Sequence, residues 1–213
     1  MARYLDIENW SRRELFNFFI GYADPYFNVC VQLDVTEFLA FVHARSTKVS
    51  LALHYFAMRV ANEIEPFRYR LKDGKVVIFD SVHGGTTVLL PNESFAYAYF
   101  EYQPDFEKFV AEMGQAVEVV RTGSGPLKPT MRDDVIYHTT LPWIPFTSFK
   151  HARTPGRGDS IPRIVFGKFS KDGARTIMPI SVEVHHALMD GLHVGRYLNR
   201  LEEVLAKPQS FIS

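Results

Sequence analysis

Two stretches of this chain fold back on themselves, and they limit the kind of sheet it can build. Tyr69-Arg-Leu-Lys-Asp-Gly-Lys-Val-Val-Ile-Phe79 places Asp73-Gly74 between strand-forming residues, and that dipeptide tolerates the positive φ of a tight hairpin turn. Arg163 to Phe169 and Arg175 to His185 flank Lys171-Asp172-Gly173 in the same way. Hairpins make antiparallel pairs, which favours a mixed-sheet α/β or α+β domain over a doubly wound parallel one. Alternating apolar and polar residues predict further strands from Phe27 to Val35, Phe95 to Tyr99 and Val135 to Thr140. Helical periodicity predicts helices over 12–22, from Thr36 onward with Thr36 as cap, Val49 to Ile64, Asp105 to Val120, and Asp190 to Ala206. Ser11 and Glu14 have the spacing of a capping box for the first of these. Its apolar residues Leu15, Phe16, Phe18, Phe19, Ile20 and Tyr22 wrap most of the circumference, which predicts burial on more than one side. The last helix carries Val194, Leu198, Leu201 and Leu205 on one face. Residues 122–129 and 150–162 read as loops. With no repeat and no linker dividing the chain, 1–213 is expected to form one domain.

Composition narrows the function classes. Lys+Arg and Asp+Glu are 24 each, so no basic excess is available to neutralise a phosphate backbone. Nucleic acid is thereby disfavoured as the main partner. The longest uncharged run, Val135 to Phe149, is 15 residues and contains His138, threonines and prolines, too short and polar to span a bilayer. The start lacks the apolar core of a signal peptide, and a single cysteine, Cys30, excludes an intramolecular disulfide, so a cytoplasmic protein is expected. Aromatic residues reach 14%, enough to suggest aromatic-walled pockets or interfaces besides core.

Several motifs suggest chemistry that their context does not support. Arg157-Gly158-Asp159 resembles an adhesion tripeptide but lies in an expected loop of a chain without secretory features. His83-Gly84-Gly85 resembles an esterase oxyanion loop, yet no Gly-x-Ser-x-Gly elbow accompanies it, and it reads as a turn. Gly123-Ser124-Gly125 lacks the Gly-Lys-Ser/Thr ending of a phosphate loop. Cys30 reads as an inert core thiol.

The informative cluster is Val184-His185-His186-Ala187-Leu188-Met189-Asp190-Gly191-Leu192-His193. A metal site is disfavoured because adjacent His185 and His186 would point opposite ways at a strand end, and no His-Glu-x-x-His spacing exists. Continued alternation places His186 on the side of Ile180, Val182 and Val184. An imidazole desolvated there, just before a helix N-terminus, stays neutral and can serve as a base. The alternative is a core histidine satisfied by backbone, with Asp190 serving only as a helix cap.

His186-x-x-x-Asp190-Gly191, preceded by His185 and followed by Val194-x-Arg196-x-x-Asn199-Arg200-Leu201, is similar to the signature of chloramphenicol acetyltransferases. These sit in a wider group of coenzyme-A-dependent acyltransferases that includes dihydrolipoyl acyltransferase cores. Four more segments carry the resemblance: Trp10-x-Arg12-Arg13-Glu14-x-Phe16, Phe79-Asp80-Ser81-Val82, Leu141-Pro142-Trp143-x-x-Phe146-x-Ser148-Phe149, and Pro179-x-Ser181-Val182-x-Val184-His185-His186. Their order and spacing cover essentially the whole chain. The resemblance implies a two-layer α/β sandwich with a mixed, mostly antiparallel sheet, and a homotrimer with active sites at subunit interfaces. It implies acetyl-CoA as cosubstrate, a small hydroxylated acceptor, no metal and no tightly bound cofactor. By resemblance His186 is the general base, Asp190 and Arg12 are a pair supporting it, and Thr139 stands where the family has an oxyanion-stabilising serine.

The departures gather where the family binds its acceptor. Phe19 replaces a substrate-contacting tyrosine, Tyr97 a small residue, and His151 and Arg153 two aliphatics, whereas Phe18, Phe27 and Phe95 are retained aromatics. Met189 replaces a cysteine and is expected to pack only. These changes keep open the same chemistry on a different hydroxyl or amine acceptor, or a non-catalytic ligand-binding relative; a metal-dependent hydrolase is a more distant reading of the histidines.

Overall fold

The computed structural model describes residues 2–124, 126, 132–153 and 159–212. The remainder of the two expected loops lies outside the described residues, including Arg157 and Gly158 of the adhesion-like tripeptide and Gly125 of the Gly-Ser-Gly segment. The chain opens with β1 (Ala2–Tyr4), α1 (Arg13–Phe19), β2 (Tyr26–Asp34), α2 (Thr36–Ala44) and α3 (Val49–Glu63). It continues through β3 (Tyr69–Lys72), β4 (Lys75–Phe79), β5 (His83–Leu89), β6 (Phe95–Phe100) and α4 (Phe106–Val119). The last part comprises β7 (Val135–Leu141), β8 (Arg163–Gly167), β9 (Ser170–Asp172), β10 (Arg175–His185) and α5 (Gly191–Ala206). No helix among the described residues is long and apolar enough to cross a membrane.

A seven-stranded sheet runs in the order β2-β10-β8-β7-β5-β6, with β9 paired to β10. Its β5–β7 and β7–β8 pairs are parallel and the others antiparallel, the mixed, mostly antiparallel sheet expected. A small sheet of order β1-β4-β3 contains the predicted hairpin, with Asp73 at φ 50° and Gly74 at φ 72°. Alternation sends Ile136, Ile164, Phe166, Ile180 and Val182 to an inner face, where they join one fully buried core with Phe38, Phe56, Phe106 and Phe109 of the helices. Each such side chain contributes roughly 1.5–3 kcal/mol by leaving water. Helix α5 docks on this core through Val194, Leu198, Leu201 and Leu205, as its periodicity predicts.

Several local expectations are corrected. Helix α1 is shorter than 12–22, and the Ser11–Glu14 capping box does not form: Arg12 holds the N-cap position without a side-chain cap, behind a tight turn closed by Arg13 N–H to the Trp10 carbonyl. Only Phe16 of α1 is buried; Leu15, Phe18, Ile20 and Tyr22 stay exposed, because one face alone of this short helix meets the core. At α2 the acceptor is Asp34 rather than Thr36: its Oδ1 takes both the Thr36 N–H and hydroxyl, at 2.9 and 2.6 Å. His83-Gly84-Gly85 begins strand β5 and is no turn. A Cβ on Gly84 would overlap the Phe100 ring, so glycine is what allows β5 and β6 to pack here. Cys30 is half-buried on the outer side of β2, its Sγ 3.2 Å from Asn28 Oδ1, and so is not core.

Candidate active site

Strand β10 ends at His185, so alternation does not continue to His186. The His186 N–H instead donates to the Pro25 carbonyl at 2.7 Å, and the chain turns sharply toward α5. The His186 ring is nonetheless sheltered by aromatics. Phe19 lies parallel to it, with centroids 3.8 Å apart and planes 8° apart, and Phe27 tilts against it at 4.6 Å. His186 Nδ1 sits 3.1 Å from the Met189 carbonyl oxygen. A carbonyl only accepts, so Nδ1 carries a hydrogen and Nε2 is the ring nitrogen left to exchange a proton. Met189 thus packs, fully buried, and also orients the imidazole through its backbone.

Asp190 performs both tasks that sequence left as alternatives. Its carboxylate bonds Arg12 Nη1, and its Oδ1 accepts the Leu192 N–H at 3.0 Å, capping α5. The Asp190 N–H in turn donates to His193 Nδ1 at 3.1 Å. Burial pulls the Asp190 carboxyl upward, but His193 and Arg12 outweigh it and hold the group below its ordinary range. Burial keeps His193 below its usual value, with Asp190 opposing. Neighbouring His185 is buried, accepts the Ala187 N–H at 3.3 Å and is held down to about 4, first by burial and then by Arg153. The turn bearing His186 is therefore fixed on both sides.

The acceptor residues named from sequence divide into two groups. Phe18, Phe19 and Phe27 gather at the His186 end, with Phe18 59% exposed and edge-on to Phe19. Phe95, Tyr97 and Thr139 lie on the outer face of the sheet, away from the helices, Phe95 being 51% exposed. Thr139 pairs with Val165 and Val165 with Ser181, so Thr139 stands two strands, about 10 Å, from Ser181. β10 runs four residues beyond Ser181 to its end at His185, about 13 Å further along the strand, and His186 follows in the turn. By strand register, His186 and Thr139 of one chain stand well over about 10 Å apart. Two hollows of the single chain, of 310 and 360 Å³, lie between β2 and α5 and beside β6 and α4, and neither is lined by His186 or Thr139.

His151 and Arg153 are engaged within the protein. Arg153 Nε donates to Glu183 Oε1 at 2.9 Å, its Nη1 lies 3.1 Å from Asp159 Oδ2, and its guanidinium covers the Tyr26 ring at 3.8 Å. The His151 N–H approaches Glu183 Oε2 at 3.3 Å. Arg163 completes the network through Asp159 Oδ2 at 2.7 Å. Glu183 is 3% exposed at its side chain; burial raises its pKa, but His151 and Arg153 prevail and bring it down to about 2. Sequence reasoning missed Glu183, although a lone carboxylate within the apolar run Ile180-Ser-Val-Glu-Val signals a required cationic partner.

Comparison with known proteins identifies the family. The profile of the chloramphenicol acetyltransferase family matches residues 2–202. A chloramphenicol acetyltransferase from a Klebsiella species is 34% identical over 200 residues, covering 93% of this chain and 91% of its own length. One from Streptomyces acrimycini is 31% identical, covering 96% and 94%. A solved chloramphenicol acetyltransferase structure superposes with a TM-score of 0.85 at 28% identity, covering 96% of this chain and all of its own. The dihydrolipoamide acetyltransferase of Azotobacter vinelandii shares the fold, with a TM-score of 0.72 at 17% identity. The chain belongs to the chloramphenicol acetyltransferase family and is an acyltransferase.

Proposed function

We propose that this enzyme, acting in the cytoplasm, transfers an acetyl group from acetyl-CoA to a hydroxyl of a small acceptor, with His186 as general base. The observation that carries the reading is the bond from His186 Nδ1 to the Met189 carbonyl, which leaves Nε2 free to take a proton. Nε2 removes the proton of the acceptor hydroxyl as its oxygen attacks the thioester carbonyl carbon. The tetrahedral oxyanion is met by the Thr139 hydroxyl. The C–S bond then breaks, the proton passes from His186 to the departing CoA thiolate, and the acetyl ester leaves. The proposal invokes no metal and no tightly bound cofactor.

The distance between His186 and Thr139 in one chain supports a site shared between two copies, in the homotrimer that the family resemblance implies. One copy supplies His186 with Phe18, Phe19 and Phe27, and its neighbour supplies Thr139 with Phe95 and Tyr97. Exposed Leu15, Phe18, Ile20, Tyr22, Trp143 and Ile144 are then surface to be covered on assembly. Chloramphenicol, which names the relatives, is the first acceptor to test, with a raised KM because Phe19 has no hydroxyl and Tyr97 adds bulk.

The test co-expresses His186→Ala and Thr139→Ala chains and follows CoA thiol release. Each variant alone is impaired, and mixed oligomers regain activity because some interfaces pair an intact His186 with an intact Thr139. Mixtures no more active than the average of the two variants overturn the shared site.

A further inference from the structure

The amide joining Met189 to Asp190 is gripped at both ends by histidine rings. Its carbonyl faces His186 Nδ1 at 3.1 Å, and its N–H donates to His193 Nδ1, also at 3.1 Å. A trans amide points its C=O and N–H in opposite directions, so the two rings hold one rigid plane from opposite sides. His193 is the third residue of α5 and is 9% exposed; its bond to the Asp190 N–H is one half of a reciprocal cap whose other half is the Asp190 carboxylate on the helix backbone.

A ring nitrogen accepts an N–H only through a lone pair, so His193 carries its hydrogen on Nε2, whereas His186, facing a carbonyl, carries one on Nδ1. The charged groups facing His193 are Asp190 at the cap, Arg12 just before α1 and Arg196 one turn along α5. Burial first, and then the two arginines, hold its pKa below the ordinary histidine value against the pull of Asp190, so the ring is neutral at pH 7. Asp190 Oδ1 lies 2.9 Å from the same Nδ1 and would take a hydrogen only from a ring protonated there, which would release the Asp190 N–H. Donating at one end of an amide strengthens accepting at the other. Without the His193 bond the plane can tilt and its carbonyl leaves His186 Nδ1. The hydrogen can then settle on Nε2, the nitrogen that the base needs open.

We propose that His193 is a positioning residue for acetyl transfer: through the Met189–Asp190 amide it fixes which nitrogen of His186 is left to take the proton. This rests on the base reading above and adds a residue to it.

The test has two readouts. The first is nitrogen NMR of the unmodified enzyme labelled at its histidines, at pH 7, with His186→Ala and His193→Gln assigning the two rings. A hydrogen on His193 Nε2 and on His186 Nδ1 is the expected result; a hydrogen on His193 Nδ1 overturns the proposal. The second is turnover of chloramphenicol with acetyl-CoA, followed by thiol release. His193→Phe keeps a flat ring without an acceptor and should lower kcat about tenfold, the worth of one hydrogen bond, with KM within about twofold. His193→Gln restores an acceptor at the third helical position and should recover kcat to within about threefold of the unmodified enzyme. A kcat for His193→Phe within about twofold of the unmodified enzyme, or a folded His193→Gln no faster than His193→Phe, overturns the proposal, since a residue that only caps α5 moves the melting temperature and leaves kcat alone. Should His193→Phe fold poorly, the tautomers decide. Turnover retained in His186→Ala instead breaks the base reading, whereas a wrong tautomer at His193 breaks only the link through the amide.

Discussion

The two ends of the proposed site are held in different ways. At the His186 end several of the contacts that orient the base come from its own turn, a ring nitrogen to a carbonyl three residues on and a carboxylate on the first turn of its own helix, joined by Arg12 from near the start of the chain. On the outer sheet face nothing local fixes the chemistry. Thr139 is set by strand register, and its surroundings are held by Arg153, Glu183, Asp159 and Arg163, drawn from separate segments. The contrast predicts that the base end tolerates little change, whereas the sheet face can be re-lined without losing the fold.

The largest effect should come from the base. His186→Ala is expected to lower kcat by about 10⁴, since proton removal and acceptor orientation fail together. Retention of more than about a tenth of the turnover, measured by thiol release, would sink the mechanism. Thr139→Ala should lower kcat by about 10²–10³, with a melting temperature close to that of the unmodified enzyme, because the residue is half-buried on an open face. Thr139→Ser should restore most of the rate, which separates a hydroxyl donor from mere packing.

Breaking the Arg12–Asp190 pair sharpens the comparison further. The partners are 12% and 28% exposed, so each of Arg12→Ala and Asp190→Asn should destabilise by about 2 kcal/mol, less than a fully buried pair would lose. The double variant should fall short of the sum in chemical denaturation, and full additivity would show that Asp190 acts on α5 alone.

A smaller and pH-dependent effect belongs to the sheet face. The folded state holds Glu183 at about 2 against an ordinary 4.5. The stability this contributes is complete above pH 4.5 and is lost as pH falls toward 2. Glu183→Gln should therefore melt below the unmodified enzyme at pH 7, with the gap closing across that acid window. A gap independent of pH would mean that packing, not charge, links Glu183 to Arg153.

Sequence reading succeeded along β10 and α5 and missed much that distant residues decide, while the local capping signals at Ser11–Glu14 and Thr36 misled. Strand β10 and helix α5 carry their own alternation, cap and apolar stripe, so the placement of Asp190 at the helix start could be read directly. Strand β5 was read as a turn because two glycines open it; its extended form depends on the Phe100, Tyr99 and Tyr137 rings lying over them. Arg153 is placed toward the acceptor by resemblance alone; Glu183 in its apolar run calls for a cation, but which one, thirty residues away, is decided by tertiary packing. The open side of α1 was read as buried because apolar residues alone do not say which neighbour covers them.

The register that separates His186 from Thr139 also bears on abundance. On the shared-site reading an isolated chain folds completely yet carries two unfinished half-sites. Specific activity then depends on dilution, falling steeply once the enzyme is thinner than the dissociation constant of its own assembly. A cell making only a few copies would hold folded protein with almost no catalytic output, and turnover would begin at a threshold of expression rather than in proportion to it.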